Sequence, residues 1–284
     1  MKLAFSTLGC PEWNLEQVAA AARNLGYQAI ELRALGGSIN LLERPELQAG
    51  GAIEQTRAFL QDQNLSICCV DTSCSFDAVD ARTRQDNVEV ALRHCEIAAA
   101  LDAPFIRVFP NEIPAAATRE ETRDRIAASL REVAIDAPSG VRVGLETHGD
   151  FARGHAAAEI IRLVDQWNVG LIWDVANALA AGDSIEESAR AVAPYLMHVH
   201  LRDAHPVEGR EHWLPVLAGR GAVSFAEPID ALHGLAYQGY ISFEWEKYWH
   251  PEIEEPEVAF EDFATAMKLA LRCETGEETQ ELQM

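Results

Sequence analysis

Eight short apolar runs, at residues 3–9, 28–33, 66–72, 104–109, 141–146, 169–174, 196–202 and 239–246, alternate with longer amphipathic stretches along this chain. The stretches lie at 15–25, 54–62, 84–101, 119–135, 156–166, 184–193, 225–235 and 258–271. Short apolar runs bounded by turn residues predict buried strands, and the longer periodic stretches predict helices. Eight β-then-α units within 284 residues is the arithmetic of an α/β fold of one kind, a single-domain (β/α)8 TIM barrel over residues 1–272. An open doubly wound sheet shares the alternation. It would be helped by a glycine-rich turn after the first strand, and Ser6-Thr7-Leu8-Gly9-Cys10-Pro11 is not GxGxxG. The segment Asp71-Thr72-Ser73-Cys74 reads as turn chemistry, and residues 273–284 as an acidic, flexible tail.

Active sites of such barrels sit at the C-terminal ends of the strands, so the residue that ends each run matters most. The fifth run ends at Glu146, with His148 two residues on. The sixth ends at Asp174, followed by Asn177. The seventh carries His198, His200 and Arg202, and the eighth carries Glu244 and Glu246. Glu146 to Asp174 is 28 residues and Asp174 to His200 is 26, each about one βα unit; His200 to Glu244 is 44, one unit plus a long loop over 203–223. Any one of these, taken alone, reads as a helix N-cap, an ion-pair partner or a core histidine. Four at matching depth repel each other unless a cation sits among them. Mixed carboxylate and imidazole donors suit one divalent ion, Mn²⁺ first and then Co²⁺, Mg²⁺ or Zn²⁺.

Five segments carry a resemblance over nearly the whole chain: Gly144-Leu145-Glu146-Thr147-His148-Gly149, Trp173-Asp174-Val175-Ala176-Asn177, His198-Val199-His200-Leu201-Arg202-Asp203, Gly219-Arg220-Gly221 and Gly239 to Glu244. They resemble the xylose isomerase-like (β/α)8 superfamily, in its sugar phosphate isomerase/epimerase group. The resemblance implies metal ligation by Glu146, Asp174, His200 and Glu244. It also implies that Glu146 and Glu244 exchange a proton with a small polyhydroxylated carbonyl substrate, a keto-sugar or an inosose-type polyol, through a cis-enediolate. A lyase or dehydratase shares the proton-abstracting half of that chemistry. A homo-oligomer is common in the group, and a non-catalytic, metal-stabilised subunit is the reading from another functional class. The ketohexose epimerases carry histidine where this chain has Asn177, which keeps inosose-like substrates open. Arg107, His148, Asn177, Arg202, Arg220 and Glu246 are candidate substrate contacts, with Glu246 a rim residue paired to Lys247 or Arg220.

Endonuclease IV is a distant member with a three-metal cluster that needs further histidines on earlier strands. Here the third and fourth runs lead into Asp71-Thr72-Ser73-Cys74 and Arg107-Val108-Phe109-Pro110. The net charge of −22, from 23 basic and 45 acidic residues, also lacks a nucleic-acid binder's basic footprint. No apolar run approaches the 18 residues of a membrane span, no leader-like segment opens the chain, and the six cysteines lack CxxC spacing. No nucleic acid, no membrane and a cytoplasmic location are therefore expected.

Overall fold

A computed structural model describes residues 1–207 and 213–273. Eight of its strands close into a parallel barrel: β1 (Lys2–Ser6), β2 (Ala29–Leu32), β3 (Ser66–Ser75), β4 (Phe105–Phe109), β5 (Arg142–Glu146), β6 (Val169–Asp174), β7 (Leu196–His200) and β10 (Tyr240–Phe243). Their order around the barrel is β1-β10-β7-β6-β5-β4-β3-β2. Every barrel pair is parallel, as Leu3 opposite Ile241 and Asp174 opposite His200 illustrate. Strands covered on both faces need apolar side chains on both, which is why they read as runs rather than alternations.

Helices α1 (Leu15–Leu25), α2 (Ala52–Asp62), α3 (Ala81–Ala100), α4 (Arg119–Asp136), α5 (Gly154–Val164), α7 (Ile185–Val192), α8 (Ala226–Gly234) and α9 (Pro256–Cys273) follow the predicted stretches within a few residues. Side-chain caps fix several boundaries. Asn14, Thr118 and Ser184 each form a capping box, with Gln17, Glu121 and Glu187 respectively. Gly26, at φ 84°, ends α1 in the left-handed region. The main core lies between strands and helices and includes Phe5, Val18, Ile106, Leu145, Trp173, Ile241 and Phe260. Inside the barrel, Cys69, Phe105 and Ile172 form an apolar floor.

Four details depart from the sequence reading. β10 ends at Phe243, so Glu244 lies just past the paired strand. A short helix, α6 (Val175–Ala180), starts directly on Asp174. The long loop after β7 contains an antiparallel hairpin, β8 (Asp203–His205) with β9 (Leu214–Val216). The Asp71 segment is not a turn: β3 continues through it to Ser75, and Asp71 is buried. The acidic tail from 274 onward lies outside the described residues. Cys10, Cys68, Cys69, Cys74 and Cys95 are free and buried, and no helix among the described residues is long and apolar enough to cross a membrane.

Candidate metal centre

Each donor is set by local structure at a strand end. Thr147 follows Glu146, and its Oγ1 accepts the backbone N–H of Asp174 at 2.9 Å, which ties the ends of β5 and β6 together. Asp174 is the N-cap of α6, its Oδ1 accepting the Asn177 N–H at 2.8 Å. The side chain that caps α6 thus also faces the cluster, because Oδ2 turns inward to Arg202. The N–H of Leu201, one residue past β7, donates to Ser242 O at 2.9 Å. That holds His200 beside the end of β10.

Glu146, Asp174, His200 and Glu244 are all buried, and each offers a ligand atom within 4.8 Å of the others'. His200 Nδ1 lies 3.4 Å from Glu244 Oε2 and 3.8 Å from Glu146 Oε2, and has no hydrogen-bond partner. Two guanidiniums balance the carboxylates. Arg107 Nη1 reaches Glu146 Oε2 at 2.7 Å and Glu244 Oε1 at 3.6 Å, with Nη2 3.5 Å from Asp71. Arg202 bridges Asp174, Glu244 Oε2 at 3.2 Å and Glu246 Oε1 at 3.2 Å, and donates to Asn177 Oδ1 at 3.2 Å. Asn177 Nδ2 in turn donates to Glu146 Oε1 at 3.4 Å.

The environments push the two glutamates apart. Burial, then the negative charge of Glu244, raises Glu146 to about 8 against the pull of Arg107. Burial raises Glu244 as well, but His200, Arg202 and Arg107 outweigh it and hold it well below the usual carboxylate range. Burial would lower His200, and the carboxylates of Glu31 and Glu244 lift it well above its ordinary value instead. One carboxyl that keeps its proton beside one that has lost it is the arrangement that acid–base pairs use.

The donor set fits a divalent cation. It combines three carboxylates with an imidazole whose inward nitrogen is buried and without a hydrogen bond, in a pocket where only positive charge relieves the repulsion. Two further groupings, Glu31 with His198 and His200 and Glu31 with Cys69 and Asp71, also bring donors close. Their atoms are already bonded to one another: His200 Nε2 meets Glu31 Oε1 at 2.8 Å, and Cys69 Sγ donates to Asp71 Oδ1 at 3.1 Å.

Of the candidate substrate contacts, Arg107, Asn177, Arg202 and Glu246 gather at this cluster. His148 stands beside it, half-buried, with its ring 4.8 Å from Phe109. Arg220 does not join them: it is exposed, with Glu254 at 3.9 Å. Glu246 pairs with Arg202 and with His250 at 3.6 Å, not with Lys247 or Arg220. Lys247 is held instead by the carbonyls of Pro251 and Ile253 and by Glu255. The sequence reading missed Glu31 and Asp71, both fully buried in the barrel interior. A lone charge inside an apolar run was the available signal for each. A cavity of 710 Å³ opens next to the cluster, bordered by Asn177, Arg119, Arg153, His155 and Trp213.

A family model described as xylose isomerase-like TIM barrel matches residues 19–269. An uncharacterized protein of Methanocaldococcus jannaschii is 29% identical over 178 residues, a match spanning 59% of this chain and 59% of that protein. An inosose isomerase of Halalkalibacterium halodurans is 23% identical over 229 residues, 77% of this chain and 78% of the relative. Three solved structures share the fold at lower identity. The IolI protein with a bound zinc atom superposes with a TM-score of 0.80 at 20% identity, covering 96% of this chain and 99% of its own. A D-psicose 3-epimerase of Clostridium cellulolyticum H10 with D-tagatose gives 0.76 at 19%, covering 96% and 99%. A probable 3-DHS dehydratase, AsbF, of Bacillus anthracis gives 0.74 at 17%, covering 95% and 99%.

Proposed function

The chain belongs to the xylose isomerase-like TIM barrel family, and within that family we propose that it is a divalent-metal-dependent isomerase or epimerase of a keto-sugar or inosose-type polyol. The observation that carries this reading is the convergence of Glu146, Asp174, His200 and Glu244, from four barrel strands adjacent in the closed sheet, on one buried point. The relative named inosose isomerase supports the substrate class. An ion held by these four residues would supply the positive charge that polarises a carbonyl and its neighbouring hydroxyl.

The protein's own groups then account for the proton. The ionised Glu244 takes a proton from the carbon beside the carbonyl, and the protonated Glu146 returns one from its own side. Asn177, tied to both Glu146 and Arg202, is placed to orient a substrate hydroxyl. Arg202, paired with Asp174, Glu244 and Glu246, helps hold Glu244 ionised.

The test is a panel of keto-sugars and inososes incubated with ion-loaded protein in deuterated water. Deuterium at the carbon beside the carbonyl, with interconversion of isomers, is expected. A dehydrated, enone-type product in its place assigns a lyase built on the same proton abstraction. Glu146→Gln is expected to lower turnover by about 10²–10⁴-fold while the protein still binds the ion. Full activity in that variant would end the two-glutamate mechanism.

A further inference from the structure

We propose that Glu31 is the positioning residue for His200: it accepts a hydrogen bond from Nε2–H, so that the neutral imidazole keeps its proton there and presents Nδ1, the nitrogen facing Glu146 and Glu244, as a lone pair. The proposal rests on the metal reading given above.

Glu31 belongs to β2 and His200 to β7, 169 residues away and separated around the barrel by β1 and β10. A carboxylate placed in a barrel interior is costly unless its oxygens are hydrogen-bonded. Both of Glu31's are. Oε1 meets His200 Nε2 at 2.8 Å, and Oε2 accepts the Ser242 hydroxyl at 2.5 Å. Ser242 lies next to His200 in the β10–β7 register, so the same residue that fixes Glu31 sits beside the ring that Glu31 orients.

A neutral imidazole that donates from one nitrogen must accept from the other. What makes Glu31 decisive is the competition for that proton. Glu244 Oε2 stands 3.4 Å from Nδ1, and without an acceptor on the far side the proton would move to Nδ1 and point at Glu244. A ligand nitrogen would then become a donor. Glu31, closer at 2.8 Å, keeps the proton on the side away from the other three donors. His198 completes the frame: its ring stands edge-on to His200 at 5.4 Å, with Nε2 3.4 Å from Glu31 Oε1. Both contacts favour one ring orientation for His200 as well as one tautomer.

The experiment compares wild type, Glu31→Gln, Glu31→Asp and Glu31→Ala. Calorimetry gives the Zn²⁺ affinity, nitrogen-15 NMR of the Zn²⁺-loaded proteins shows which imidazole nitrogen carries the proton, and thermal melts confirm folding. Wild type is expected to bind Zn²⁺ with the His200 proton on Nε2. Glu31→Ala should lose about 10–100-fold in affinity and the single tautomer. Glu31→Gln keeps an acceptor at the same reach and should recover both. Glu31→Asp keeps the charge but withdraws it by about one C–C bond length, and should behave like Glu31→Ala; it serves if the alanine variant does not fold. Wild-type affinity and an Nε2 proton in folded Glu31→Ala or Glu31→Asp overturn the proposal. Wild type that takes up no Zn²⁺ overturns the metal reading itself, and this inference with it.

Discussion

Arg202 sits where three carboxylates meet. Its guanidinium bridges Asp174, Glu244 and Glu246, and all but Glu246 are nearly without solvent exposure. Removing one partner of a buried ion pair leaves charge with no water to solvate it, at roughly 3–5 kcal/mol. Arg202→Ala should therefore lower the melting temperature of chelator-treated protein markedly, and a divalent ion should restore much of the loss by supplying the missing positive charge. Equal losses with and without the ion would mean that Arg202 acts through packing alone. The same residues show how far a sequence can be read at this scale. Glu146, Asp174, His200 and Glu244 stood out because each ends an apolar run at matching depth. Glu31 interrupts a run in the same way, between Ile30 and Leu32, yet its meaning depends on His200, 169 residues on. No local pattern in the chain encodes that distance.

At the scale of elements, the described part of the connection from β7 to β10 is closely packed on itself. Asp203, buried at the start of β8, accepts the backbone N–H groups of Gly221 at 2.8 Å and Val223 at 3.0 Å, while Ala222 N–H donates to Ala204 O at 2.8 Å. The returning chain thus lies against the hairpin backbone. A Cβ on Gly221 would come within 2.2 Å of Asp203 Oδ1 and 2.5 Å of Ala204 O, so only glycine fits. The conspicuous Gly219-Arg220-Gly221 motif is explained by that close approach, and Arg220 itself points to Glu254. Gly221→Ala is expected to destabilise the protein by about 1–3 kcal/mol and to raise hydrogen exchange in 203–205 and 214–216, with Glu146, Asp174, His200 and Glu244 untouched. Unchanged exchange there would show that the clamp is slack. The strands and helices themselves were legible because burial on both faces and amphipathic periodicity are local signals. The hairpin was not, since strands of three residues, one containing Pro215, fall below any periodicity.

The whole molecule couples this site to folding, because residues as far apart as Glu31 and Glu244 converge only when the barrel closes. Binding of an ion by the proposed donors would then be folding energy and would compete with protons. In chelator-treated protein, burial raises Glu146 to about 8 and Asp71 to about 7, and the carboxylates around His200 lift it above its ordinary value despite burial. The folded state therefore keeps protons that the unfolded chain has released, so the stability linked to them is complete below the unfolded values and is lost as pH rises toward 8. His198, which burial lowers, titrates in the unfolded chain and adds stability only as pH climbs to its ordinary value near 6.5. Between pH 6.5 and 8.5 the chelated protein should thus lose melting temperature. An ion on these residues would need His200 deprotonated at Nδ1, so its apparent affinity should climb over the same interval and its binding should release a proton. At an ion concentration of about 100 times the dissociation constant, binding would contribute about 2.7 kcal/mol, or roughly 4–5 °C for a chain of this size. Melts at pH 6.5, 7.5 and 8.5, with chelator and with a fixed Mn²⁺ concentration, measure both slopes at once. The gap between the two curves should widen with pH, and a gap that stays constant or narrows would place the ion somewhere other than on His200.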